Sequence, residues 1–182
     1  LTLIVCPTSL LYNWKEEFSK FDPQLKVLVI DGIQSARKRL IEGMHKYDVV
    51  ITSYTLLQKD VEHYKQLSFG YVILDEAQHI KNRSTRNAKS VKMIPAEHRL
   101  ILSGTPIENA LDEMWSLFDF LMPGFLSSYD RFVEKYIRVS GKEQTQNLEY
   151  LRKKVAPFIL RRMKADVLDD LPPISEIVYH CQ

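Results

Sequence analysis

No run of the sequence approaches the roughly 18 consecutive apolar residues that a membrane-spanning helix requires, so no membrane segment is expected. Cysteine is scarce: Cys6 and Cys181 stand far apart in 182 residues. Two such residues make no disulfide framework. Cys6, inside the apolar run Leu3-Ile4-Val5-Cys6, reads as a buried free thiol of a reducing cytoplasm. A dominant charge is missing too. Lys and Arg number 25 against 23 Asp and Glu, a formal net charge of +2, so the whole-molecule field would not draw in a polyanion and any such contact must be local. There is no internal repeat and no low-complexity tract. Nor is there a Gly-Lys-Thr or Gly-Lys-Ser tripeptide of the kind that grips nucleotide phosphates. The chain opens Leu1-Thr2-Leu3, with neither Met nor a basic leader, and is read as a fragment.

What is present is the balance of one globular domain, 45% hydrophobic and 26% charged. Short β-branched runs alternate with amphipathic stretches of about ten residues or more, the rhythm of a parallel α/β sheet. Strands are predicted near Leu1 to Cys6, Val27 to Ile30, Val49 to Thr52, Tyr71 to Leu74 and Leu100 to Leu102. Each is too apolar for a sheet with a wet face, so helices are expected on both faces. A first helix carries Leu11, Trp14, Phe18 and Phe21, with Thr8 or Ser9 as its cap and Asp22-Pro23 as its break. Others run through Arg37, Leu40 and Ile41, and from Ser84 through Ala88, Val91 and Ile94 to Pro95. Leu111, Trp115, Phe118 and Leu121 mark a further helix, with Asn109 as its cap and Pro123-Gly124 as its stop. Beyond Ser127, a helical pair joined by a polar loop at Ser140 to Gln146 makes an appendage. The expected division is a lobe over 1–126, the helical appendage over 127–156 and a basic linker over 157–182.

Tyr71-Val72-Ile73-Leu74 runs directly into Asp75-Glu76-Ala77-Gln78, placing two carboxylates at the carboxyl end of a buried strand. Ligands of α/β sheets sit at that end. Nucleotide hydrolysis needs such a pair, one carboxylate to hold Mg²⁺, usually through water, and one to orient and deprotonate the attacking water. Asp75 suits the metal and Glu76 the water. The same letters also read as a strand leaving into a polar loop. A second signal, Leu102-Ser103-Gly104-Thr105-Pro106, closes the next apolar strand. Gly104 permits a tight turn, and the Ser103 and Thr105 hydroxyls can bond to the acidic loop, although a capped turn before a helix would look alike.

Together these segments resemble the Swi/Snf-type DNA translocases of the second helicase superfamily. Asp75-Glu76-Ala77-Gln78 is similar to the family's Walker B box, and Ser103-Gly104-Thr105-Pro106, extended by Ile107-Glu108-Asn109, to its third motif. Val5-Cys6-Pro7-Thr8-Ser9-Leu10-Leu11 with Asn13-Trp14 resembles motif Ia, and Ile51-Thr52-Ser53-Tyr54 the Thr-x-Tyr element. Lys81-Asn82, the segment Trp115 to Leu121, and Ala156 to Arg162 with Lys164, Val167 and Leu171-Pro172-Pro173 continue the match in order. Two departures stand out: Gln78 replaces the usual His of the acidic box, followed by His79, and Ile174 replaces a Lys after the Pro pair. The wording is closest to bacterial members.

The resemblance implies a RecA-like parallel sheet without its phosphate-loop strand, plus the helical appendage. It implies ATP and Mg²⁺ as cofactors, with Asp75 at the metal, Glu76 at the attacking water, and Gln78, Ser103, Gly104 and Thr105 around the nucleotide. It also implies double-stranded DNA as partner, with Pro7, Thr8, Thr52, Ser53, Tyr54, Lys81 and Asn82 facing the tracked strand, and a second RecA-like lobe carrying the arginine fingers. Basic runs at Lys81 to Lys92 and Arg152 to Lys164 could touch phosphate or be solvated faces. Trp14 reads as core and His79 as a polar loop residue. Without the phosphate-gripping loop, the isolated stretch is expected neither to bind ATP tightly nor to hydrolyse it, and an exposed sheet edge would favour self-association. The alternatives are a strand-separating helicase and a catalytically silent docking module. The expected location is bacterial cytoplasm at the nucleoid, or the nucleus in a eukaryote.

Overall fold

A computed structural model describes residues 1–104 and 111–162. Five parallel strands form one sheet in the order β2-β3-β1-β4-β5: β1 (Thr2–Cys6), β2 (Val27–Val29), β3 (Val49–Ser53), β4 (Phe69–Leu74) and β5 (Ala96–Ile101). Central β1 pairs on one side with β3, Ile4 opposite Ile51, and on the other with β4, Ile4 opposite Ile73. All five expected strands are present. The last begins earlier than the apolar pattern suggested, because β5 is an edge strand and tolerates the polar residues Glu97, His98 and Arg99.

Helices lie on both faces. On one side α1 (Leu11–Phe21) sets Leu11, Trp14 and Phe18 against Ile4, Cys6, Val49, Ile51 and Ile73. On the other, Leu3, Val5, Val50, Val72 and Leu74 meet α2 (Gln34–Glu42), α3 (Tyr54–Tyr64), α4 (Arg86–Lys92) and α5 (Leu111–Leu121). The second face holds the larger core. The expectation that no strand shows a wet face fails at β4 and β5, where Tyr71 is 48% and Leu100 is 45% exposed on the α1 side. Helix α1 covers only the sheet as far as Ile73.

Local chemistry explains most helix ends. Helix α1 stops at Phe21, with Asp22-Pro23 next in the chain. Its start is not capped by Thr8 or Ser9: these form a 3₁₀ turn, Thr8–Leu10, that leads into the helix, and Leu10 stands at the cap without a side-chain bond. Phe21 is turned out to solvent, at 76% exposure. Helix α4 is capped by the Thr85 hydroxyl, which accepts from the Ala88 amide at 3.2 Å, and buries Ala88 and Val91 as expected. After α5, Gly124 turns the chain at φ +84. The expected Asn109 cap lies outside the described residues.

Contacts divide the chain into two compact units, Leu1–Arg138 and Val139–Gln182. The first ends with α6 (Tyr129–Phe132), which runs into a wider π-type turn, Val133–Ile137. The second contains α7 (Gly141–Val155), whose first turns occupy the segment expected to be a polar loop. Gln144 and Gln146 are helix formers of ordinary strength, so their polarity did not mark a break.

Candidate functional site

The acidic box and the third motif meet at one rim. Because β4 and β5 are parallel neighbours in register, Leu74 opposite Ile101, their carboxyl ends emerge together. The Leu102 amide donates to the Leu74 carbonyl at 2.8 Å, and the Ala77 amide donates back to the Leu102 carbonyl at 3.3 Å. This stitches Asp75-Glu76-Ala77 to Leu102-Ser103-Gly104. Thr105 lies outside the described residues. Asp75 also borders motif Ia, since its amide donates to the Val5 carbonyl at 2.9 Å.

Every polar group of Asp75 has a partner. Its Oδ1 accepts from the Glu76 amide at 2.9 Å, and its Oδ2 accepts from the Trp14 indole N–H at 2.9 Å. The Tyr54 hydroxyl donates to its carbonyl at 2.8 Å. Carboxylate oxygens carry more than one lone pair each, so both Asp75 oxygens can still accept from water. Glu76 sits in the left-handed backbone region, at φ 52 and ψ 56. A residue with a Cβ pays for that conformation with about 1–3 kcal/mol of local strain, which in folded proteins gathers at functional sites. Here the turn swings the Glu76 carboxylate out of line with the strand, where the Gln78 amide holds it at 2.9 Å. The residue in place of the family's His therefore keeps a bond within the box.

The neighbouring rim residues differ in what they present. Thr8 is exposed and Pro7 half-buried at the end of β1. Thr52, Ser53 and Tyr54 are buried: the Thr52 hydroxyl donates to the Ile30 carbonyl at 3.4 Å, and the Ser53 hydroxyl caps α3 by accepting from the Leu56 amide at 3.3 Å. Their side chains support the rim from beneath. Burial first, then the Asp75 charge, raises the Tyr54 phenol well above its ordinary value, so it remains a donor. Lys81 pairs with Glu113 at 2.8 Å, and the Asn82 carboxamide accepts from the Ser84 amide at 3.0 Å to shape the turn before α4. Elsewhere in the basic run, Lys92 pairs with Asp119 at 2.7 Å and the Arg83 guanidinium lies 3.7 Å from the centre of the Tyr129 ring. Arg86 and Lys89 are exposed.

Two residues gained roles that their letters did not suggest. Trp14 lies on the apolar stripe of α1, yet its N–H reaches the acidic box; His79 stacks on Tyr54 with ring centres 4.8 Å apart. The available signal was general: an indole N–H or phenol buried in a core needs an acceptor, and the nearby acidic box supplies it. A shallow open depression lined by Trp115, Asp119, Tyr129 and Arg131 includes none of these residues. Among the described residues, no group of three or more His, Cys, Asp or Glu side chains gathers as a metal cage. The adjacent Asp75 and Glu76 carboxylates are compatible with Mg²⁺, which binds through one or two carboxylates with waters and substrate phosphates.

Comparison with known proteins accords with this geometry. A family described as SNF2-related domain matches residues 1–182. The chain is 44% identical to the TATA-binding protein-associated factor mot1 of Schizosaccharomyces pombe, over 99% of this chain and 10% of that protein. It is 41% identical to an ATP-dependent helicase of Mycoplasma genitalium, over 94% of this chain and 16% of that protein. Among solved structures, the Sulfolobus solfataricus SWI2/SNF2 ATPase core in complex with dsDNA superposes with a TM-score of 0.83 at 39% identity, over 94% of this chain and 36% of that one. The chain thus spans a tenth to about a third of the length of these three proteins.

Proposed function

The chain belongs to the SNF2-related domain family, and from that premise we propose that it forms the first ATPase lobe of a motor that moves along double-stranded DNA. The observation that carries this reading is the joining of the Asp75-Glu76 loop to Leu102-Ser103-Gly104 on one rim. A lone acidic pair after a strand is common. One joined to a Ser-Gly turn on the neighbouring strand and to the end of β1 sets a metal-holding and a water-orienting carboxylate at the carboxyl edge of a parallel sheet, which suits phosphoryl transfer to water.

In the proposed site, Mg²⁺·ATP supplies the γ-phosphoryl group and the cation that offsets its charge. Asp75, its carboxylate fixed at both oxygens, would hold the cation with its remaining lone pairs. Glu76 orients a water and takes its proton, and the Gln78 amide keeps the carboxylate facing the cleft. Ser103 and Gly104 flank the nucleotide beside the acidic loop, and Thr105 is assigned to it from its place in the motif alone. Pro7 and Thr8 face DNA phosphate at the rim, Lys81 and Asn82 lie along the same track, and the Thr52-Ser53-Tyr54 element supports it. Because phosphate contacts carry no sequence information, such a track suits a motor that must step over any sequence. A second lobe closes the cleft, and its opening after hydrolysis advances the grip.

The test is ATP turnover by the full-length protein with and without duplex DNA. Turnover should rise on adding DNA, and Glu76→Gln should lower the stimulated rate by at least about a hundredfold, the scale of a lost general base. Equal turnover by the two proteins would remove Glu76 from the reaction.

A further inference from the structure

Asp75 is the point where three separate elements of the rim converge. Its Oδ2 takes the indole N–H of Trp14 on α1 across 61 residues of sequence, and its carbonyl takes the hydroxyl of Tyr54 on α3 across 21. Helix α1 follows directly on the 3₁₀ turn Thr8–Leu10 that Pro7 opens, and Tyr54 follows directly on Thr52-Ser53 at the end of β3. We propose that Trp14 and Tyr54 are positioning residues that link duplex occupancy of the rim to the orientation of the Asp75 carboxylate. The proposal rests on the motor reading above.

The physical case has three steps. A bond from a donor to an ionised carboxylate is short, directional and about twice as strong as one between neutral groups, so Trp14 fixes which way Oδ2 points. The two donors are themselves held: Trp14 packs against Phe18, with ring centres 5.9 Å apart, and Tyr54 is only 3% exposed and stacked on His79. Tightly packed side chains pass on a shift of the backbone that carries them instead of absorbing it. A force on the Pro7-Thr8 turn moves the start of α1, and with it the indole, so the carboxylate must follow or lose its bond. Coupling of this kind is reciprocal: a ligand that fixes Asp75 tightens the rim for DNA as much as DNA tightens the site for the ligand.

A purely structural Trp14, one that merely pins α1 to the sheet, would set stability and leave this linkage alone. The test is therefore an equilibrium cycle on the full-length protein: the affinity for a fluorescent duplex, with and without Mg²⁺·ADP, alongside thermal melting. Wild type should bind duplex several-fold more tightly with the nucleotide than without it. Trp14→Phe keeps the ring but not the N–H, and should bring that ratio close to one. Tyr54→Phe should lower it independently. Val49→Ala, which loosens the same apolar layer at the amino end of β3, away from the rim and from Asp75, should lower the melting temperature and keep the ratio. The proposal is overturned if the wild-type ratio is already one, if Trp14→Phe and Tyr54→Phe both keep the wild-type ratio, or if Val49→Ala loses it equally. A wild-type protein that binds neither Mg²⁺·ADP nor duplex overturns the motor reading, and this linkage with it.

Discussion

At the scale of single residues, the site is organised by hydrogen bonds to Asp75 more than by the charges of its neighbours. Cys6 shows what that environment does to a group with no part in the chemistry. Fully buried beside Asp75, its thiol is pushed up from 9.0 to about 12, by desolvation first and the carboxylate second. As pH rises past 9.0, the unfolded chain gives up this proton while the folded chain keeps it until about 12. Stability should therefore fall across that window, with Tyr54, raised for the same reasons, adding to the fall above its ordinary 10.0. Alkylation followed by site-resolved mass spectrometry at pH 8.5 should leave Cys6 unmodified in the folded protein and modify it in denaturant; rapid labelling of the native thiol would contradict this burial. The identities of Asp75, Glu76 and Ser103 were legible from their position at strand ends. The bonds of Trp14 and Tyr54 to Asp75 and the stacking of His79 on Tyr54 were not, because contacts spanning tens of residues leave no local pattern.

At the scale of elements, strands and capped helices were legible wherever one periodicity ruled, as in α4, whose Thr85 cap, inward Ala88 and Val91, and Pro95 stop agree with one another. Helix α3 was not anticipated, although Tyr54, Leu57, Val61 and Tyr64 recur at helical spacing behind the Ser53 cap. Its first turn follows β3 without a linker, Ser53 ending the strand and Tyr54 opening the helix, so no turn residues separate the two patterns. A buried ion pair joins α3 to α2. Arg37 donates to Asp60 through Nε at 2.6 Å and a terminal nitrogen at 2.9 Å, and its other terminal nitrogen holds the Gly32 carbonyl at 2.7 Å. Both side chains are 6% exposed. Asp60→Ala strands a guanidinium in the core and should cost about 3–5 kcal/mol in urea unfolding, whereas replacing both partners with apolar residues of similar volume should cost far less. A loss under about 1 kcal/mol for Asp60→Ala would mean that water reaches Arg37.

At the scale of the whole molecule, a net charge of +2 and a basic run partly tied to Glu113 and Asp119 argue against nonspecific electrostatic capture. Contact with DNA would rest on a rim of backbone and small polar groups, which track phosphate without reading bases. With the proposed nucleotide and track residues along the same carboxyl edge, the sheet would suit a machine that translates along an intact duplex. The direct measurement is displacement of a third strand from a DNA triplex by the full-length protein. The account predicts ATP-dependent release of the third strand, abolished by Glu76→Gln, with the underlying duplex still paired. Release without ATP, or separation of the duplex strands themselves, would contradict it.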